Sequence, residues 1–166
     1  MKETLEFTGK IPEGTIHIDK DIIYGKDAMY WSLNIKELEI PNSVEKIKDG
    51  ALGLCSDLKK LKIPTRFCFH KYYDHFVVSS AQPSKFISFF EGDIVLDELV
   101  IYGDETELDL SEIDWSSCFG YHMQKLNPII RIENEITYLK LGNSFGKRQP
   151  LIYINNYVEN VTIEAD

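Results

Sequence analysis

The most reactive side chains in this 166-residue sequence are three cysteines and four histidines, and their spacing limits the chemistry they could perform. Cys68 and His70 are two apart with His75 close behind, and Cys118 stands one helical turn before His122. Thiolate and imidazole are favoured zinc ligands, so both groups have a workable metal spacing. Neither recurs as a motif. There is no Cys-x-x-Cys and no His-Glu-x-x-His, and four ligands would have to be gathered from two separate segments. Cys118 and His122 at i, i+4 could instead form a thiol–imidazole couple in which the histidine activates the thiolate. The neighbouring sequence offers no third group to orient the imidazole, so a small thiol enzyme built on this pair is an alternative expectation. Gly142–Arg148 resembles a phosphate loop but lacks the Gly-Lys-Ser/Thr ending and is expected to be a turn. Asp104, Glu105, Glu107 and Asp109 lack the spacing and central glycine of a calcium loop. No catalytic residue, cofactor or metal is expected.

Charge is more informative than any of these motifs. The chain holds 27 acidic and 18 basic residues. Ten of the acids (Glu91, Asp93, Asp97, Glu98, Asp104, Glu105, Glu107, Asp109, Glu112 and Asp114) follow one another with no Lys, Arg or His among them. The remainder is balanced, at 17 against 18, so the net charge of −9 is local to this stretch. A block of one sign repels itself and either lies along a solvated edge or is held for a positively charged partner. Nucleic acid is disfavoured there because phosphate contacts need the opposite sign.

The elements that must position these residues show themselves through repetition. Ala28–Pro41 and Ala51–Pro64 share their apolar landmarks 23 positions apart: Leu38 and Leu61, Ile40 and Ile63, Pro41 and Pro64. Such a period is the signature of stacked units, none of which can bury its apolar face alone. Each unit ends in Leu-x-x-Leu-x-Ile, found as Ile35/Leu38/Ile40 and Leu58/Leu61/Ile63 and again as Leu96/Leu99/Ile101, Ile136/Leu139/Leu141 and Val158/Val161/Ile163. Two apolar residues two apart define one face of a strand. These triplets predict successive rungs of one parallel sheet, with Leu5/Phe7 and Leu108/Leu110 as shorter candidates. Pro41 cannot donate to a ladder and closes the first full strand, after which Val44 and Ile47 should turn back to the core. Two stretches break the spacing, at about 65–93 and 111–128. The first is rich in aromatics from Phe67 to Phe90, extended around Phe67/Phe69 and helical after Pro83; the second reads as a helix between Ser111 and Pro128.

The run Ile40-Pro41-Asn42-Ser43-Val44-Glu45-Lys46-Ile47-Lys48-Asp49-Gly50-Ala51-Leu52, continued by Cys55 through Pro64, resembles the leucine-rich repeat of bacterial BspA-type proteins. The resemblance covers about residues 28–64 and is loose elsewhere. It implies a right-handed solenoid that binds proteins or other large ligands and has no catalytic centre of its own. Many relatives are exported. Here the first residues carry no continuous apolar stretch, and an odd number of cysteines fits reduced thiols, so a cytoplasmic setting without membrane span is expected. Cys55 occupies the buried position of the repeat.

Together these features predict a single mainly β domain over residues 1–166, a leucine-rich-repeat-like right-handed solenoid of five to seven rungs with short helices and two insertions. If Leu38 and Ile40 face inward, Glu37 and Glu39 face out, as do Lys60/Lys62, Glu98/Val100/Tyr102, Tyr138/Lys140 and Asn160/Thr162/Glu164. Val100, Tyr102 and Tyr138 form the expected centre of an interface, rimmed by Asp97, Glu98, Asp104 and Glu105. The expected function is non-enzymatic binding of a cationic protein, as by an acidic immunity protein or inhibitor of a nuclease toxin. A surface adhesion or carbohydrate-binding fragment is the second alternative.

Overall fold

Alternation of inward apolar and outward polar residues makes this a β protein. The computed structural model describes residues 11–19, 35–47, 55, 57–68, 95–111, 127–142, 150–155, 158 and 160–163. Among them are ten short strands: β1 (His17–Ile18), β2 (Glu37–Glu39), β3 (Lys46–Ile47), β4 (Lys60–Pro64), β5 (Glu98–Tyr102), β6 (Glu107–Leu110), β7 (Ile129–Ile132), β8 (Tyr138–Leu141), β9 (Leu151–Ile154) and β10 (Asn160–Ile163). The helical content described is one 3₁₀ turn, Thr65–Cys68. Every pairing among these described strands is parallel.

The strands do not form one sheet. They divide into a five-stranded sheet in the order β2-β4-β5-β7-β9, a three-stranded sheet β10-β8-β6 and a two-stranded pair β1-β3. Register aligns Leu38, Leu61, Leu99, Ile130 and Ile152 across the large sheet. A second line runs Leu108, Leu139, Val161, and a third joins Ile18 to Ile47. The chain crosses between lines at a constant offset of nine positions: Leu38 to Ile47, Leu99 to Leu108, Ile130 to Leu139, Ile152 to Val161. After β4 the corresponding stretch opens with the 3₁₀ turn.

This arrangement corrects the single sheet expected from the triplets. Leu38, Leu61 and Leu99 belong to the large sheet, whereas Leu139/Leu141 and Val161/Ile163 lie on β8 and β10 of the small one. The apparent 40-residue spacing from Ile101 to Leu141 is thus a jump between sheets. The true increments after Leu99 are 31 and 22, and those after Leu108 are the same. A second expectation also changes. The alternation at Phe67/Phe69 predicts extended chain, but Thr65–Cys68 turns, with Phe67 buried and Pro64 ending β4 just before it. Most of the two expected insertions, including His70, His75, Cys118, His122 and the predicted helices, lies outside the described residues, as do Leu5 and Phe7.

One buried cluster draws on all three sheets, including Ile18, Ile47, Leu61, Leu99, Leu108, Ile130 and Leu139. Each such side chain contributes roughly 1.5–3 kcal/mol on leaving water. Val44 and Cys55 are buried in it as well. The corners after β4, β5 and β7 are tied by polar groups. Thr65, Gly103 and Asn134 occupy equivalent corner positions, two residues after Ile63, Ile101 and Ile132. Thr65 Oγ donates to Tyr102 O at 3.0 Å, and Asn134 Nδ2 donates to Thr65 Oγ at 2.9 Å and to Glu105 O at 3.1 Å. Thr65 and Asn134 are both buried and follow β4 and β7, strands two apart in the sheet. They meet because Gly103 stands between them without a side chain: a Cβ there would lie 2.8 Å from Thr65 Oγ.

Candidate binding surface

The outer face of the large sheet is built from two rows of side chains held in register about 4.8 Å apart. One row is Glu37, Lys60, Glu98, Ile129, Leu151; the other is Glu39, Lys62, Val100, Arg131, Tyr153. Opposite charges alternate across the strands. Lys62 Nζ lies 3.6 Å from Glu39 and 2.8 Å from Glu133, while Glu98 receives Lys60 at 3.4 Å and Arg131 Nε at 2.8 Å. Lys62 also sits 4.9 Å above the Tyr102 ring, and the Arg131 guanidinium 4.8 Å above that of Tyr153.

These contacts move the ionisation of three groups. The hydrogen bond to Glu133 holds the Lys62 ammonium above its ordinary range against the opposing effect of burial, with Glu39 adding to the pull. Burial works to raise the Glu98 carboxyl, but hydrogen bonds and charge from Arg131 and Lys60 outweigh it and hold the group below its ordinary value. Tyr102 is pushed up to about 12, first by burial and then by the charge of Glu39. Its hydroxyl donates to Ile40 O at 2.5 Å, which fixes the ring across β4 toward β2.

The residues expected to form one interface occupy three places. Glu98, Val100 and Tyr102 share the outer face of β5, with the exposed Asp97 immediately before it. Val100 is 1 % exposed and therefore cannot be the accessible centre that alternation suggested. It is flanked in register by Lys62 and Arg131. Tyr138 lies on β8 of the small sheet, beside Glu107 and Asn160, away from the β5 set. Asp104 and Glu105 are exposed in the corner between β5 and β6. Next to them are Glu107 at the start of β6 and, at the equivalent corner after β7, Glu135, both exposed. No Lys or Arg among the described residues lies within ion-pair range of Asp104, Glu105, Glu107 or Glu135, whereas Glu39, Glu98 and Glu133 on the sheet face each have a cation.

The outward residues of β7 and β9 escape the triplet pattern, because Asn127 and Gln149 stand where its leading leucine would be. The nine-residue offset back from Leu139 and Val161 would have found Ile130 and Ile152. With them come Arg131 and Tyr153. The stretch after β8 also carries the Gly142-x-Ser144-x-Gly146 spacing of a nucleophile elbow, which requires a strand, a sharp turn and then a helix. Residues 143–149 lie outside the described residues, and β9 begins at Leu151. Gly142 has a packing reason: a Cβ there would come within 2.9 Å of the Ser111 carbonyl carbon on the adjacent strand path.

Among the described residues, no cluster of three His, Cys, Asp or Glu side chains is arranged to hold a metal. No helix among them is long and apolar enough to cross a membrane. In comparisons with protein-family models, curated proteins and solved structures, nothing matches the chain.

Proposed function

We propose that the parallel strands wind as a short right-handed solenoid of leucine-rich-repeat kind and that the protein is a non-enzymatic, cytoplasmic binding module for a cationic protein. The nine-residue crossing shared by β2, β5, β7 and β9 supports the winding, since it gives those turns the same corner. The second sheet departs from the single one that the triplets predict. The observation that carries the binding proposal is the separation of charge: Glu39, Glu98 and Glu133 on the sheet face each pair with a cation within the fold, whereas Asp104, Glu105, Glu107 and Glu135 project from adjoining corners without a cation in range among the described residues. Such a ridge attracts a positively charged surface and accelerates encounter. An immunity protein or inhibitor covering a basic nuclease toxin is the concrete form of this function.

The test is capture of partners from the source cell, followed by association kinetics with the captured protein. Asp104→Lys, Glu105→Lys and Glu135→Lys together should slow association by at least about ten-fold at low salt and flatten its salt dependence. Association indifferent to the three reversals, or a partner without a basic surface, would contradict the proposal.

A further inference from the structure

Four large apolar side chains are exposed among the described residues, and three of them lie on the last two strands: Leu151 at 48 % and Tyr153 at 46 % on β9, and Val161 at 50 % on β10. β9 closes one side of the large sheet and β10 one side of the small sheet. The inward lines open there too. Leu38, Leu61, Leu99 and Ile130 are buried, but Ile152 at the end of the same line is only partly so; Leu108 and Leu139 are buried, but Val161 beyond them is not. A strand at a sheet margin also presents a row of unpaired backbone donors and acceptors, which proteins ordinarily protect with charge, proline or brevity. β2, at the opposite margin, is three residues long and carries Glu37 and Glu39. β9 reads Leu-Ile-Tyr-Ile without a charge, and residues 150–163 contain one residue charged at neutral pH, Glu159.

We propose that β9 pairs antiparallel with β9 of a second copy of this chain, closing a two-fold dimer through this margin of the large sheet. The occupant follows from charge. A chain of net −9 repels its own copies over most approaches, and a nearly uncharged, apolar end lets two of them meet without bringing acids together. The strand is also self-complementary. With Ile152 opposite its counterpart, Leu151 faces Tyr153 of the second copy on the outer side, while the partly buried Ile152 and Ile154 gain cover on the inner side. Stacking β9 onto β2 of another copy would instead leave an open margin at each step and grow a filament, and the short acidic β2 is a poor acceptor. The dimer leaves Asp104, Glu105 and Glu135 uncovered in the same charge state, so it does not rest on the proposed function.

Sedimentation of the full chain across a dilution series tests this. A monomer–dimer equilibrium is expected, and Leu151→Lys with Tyr153→Lys should raise its dissociation constant at least about ten-fold, the loss expected from removing central apolar contacts. Glu37→Lys with Glu39→Lys should leave the dimer in place. Unchanged far-UV circular dichroism checks that the β9 variant is folded; if it is not, the milder Tyr153→Ser carries the test with the same direction of effect. A monomer at every concentration, a dimer that survives the β9 substitutions in a folded chain, or open-ended oligomers would each overturn the proposal.

Discussion

The two margins of the large sheet, β2 and β9, share one line of inward residues and differ in nearly everything else. At β2 the inward Leu38 is buried and the outward residues are Glu37 and Glu39, the latter tied to Lys62. At β9 the inward Ile152 is partly exposed and the outward residues are Leu151 and Tyr153. The lesson is that the repeat determines which way a side chain points, while position in the stack determines whether it is covered. Margin chemistry then governs what may join: acids at β2 discourage a further strand, and their absence at β9 invites one.

The largest effect should come from truncating inward residues at the closed end of the large sheet and at the open end of the small one. Leu38→Ala, deep in the core, is expected to cost about 2–4 kcal/mol in urea denaturation, whereas Val161→Ala at the open end should cost under about 1 kcal/mol in the same experiment. Equal losses would remove the contrast between a closed end and an open one.

Next comes the corner that binds the middle of the stack. Asn134→Ala takes the donor from Thr65 and from Glu105 O in a buried setting, and a loss of about 1–3 kcal/mol is expected. Thr65→Val combined with Asn134→Ala should lose less than the sum of the two single changes, because the two groups serve each other.

Acid and alkali should act on the charged half of the sheet and spare the uncharged end. Glu98 titrates below its ordinary value, so its contribution is present above the unfolded carboxyl range and is lost as pH falls through the folded one. Lys62 titrates above its ordinary 10.5, so its contribution is complete below that value and is lost as pH rises beyond it. Tyr102, raised from 10.0 to about 12, favours the fold below pH 10 and loses that effect toward pH 12. Melting temperature should therefore be flat between the acid and alkaline limbs. Glu98→Gln should weaken the acid limb and Tyr102→Phe the alkaline one.

The smallest effect is expected on the ladder beside β2. Glu39→Gln removes one partly exposed partner of Lys62, which keeps Glu133, and should change stability by no more than about 0.5 kcal/mol. A loss above 1 kcal/mol would mean that Glu39 holds β2 in place rather than decorating it.

Much of the strand pattern was legible because Leu, Ile and Val recur two apart and 23 positions on, and parallel neighbours bury the same column. That spacing sets Glu39 beside Lys62 and Glu37 beside Lys60; the first pair forms, whereas Lys60 turns to Glu98. Assignment of strands to sheets was not legible, since an inward Leu-x-Leu reads alike on either sheet; only the nine-residue companion of each strand distinguishes them. The exposure of Val100 was misjudged for a related reason. Alternation gives the direction of a side chain, but burial depends on neighbours that local sequence does not specify. Tyr102 was correctly placed on the outer face, yet its bond to Ile40 O joins residues 62 apart and leaves no local trace.

Hydrogen exchange of the full chain, followed peptide by peptide at low and high protein concentration, tests the contrast between the two margins most directly. Amides of β5 and β7 should exchange slowest at both concentrations, those of β9 should gain protection as concentration rises, and those of β2 should not. Amides of β9 that are as protected as β5 in the dilute sample, or a concentration-dependent gain at β2 instead, would contradict an open apolar end opposed to a closed acidic one.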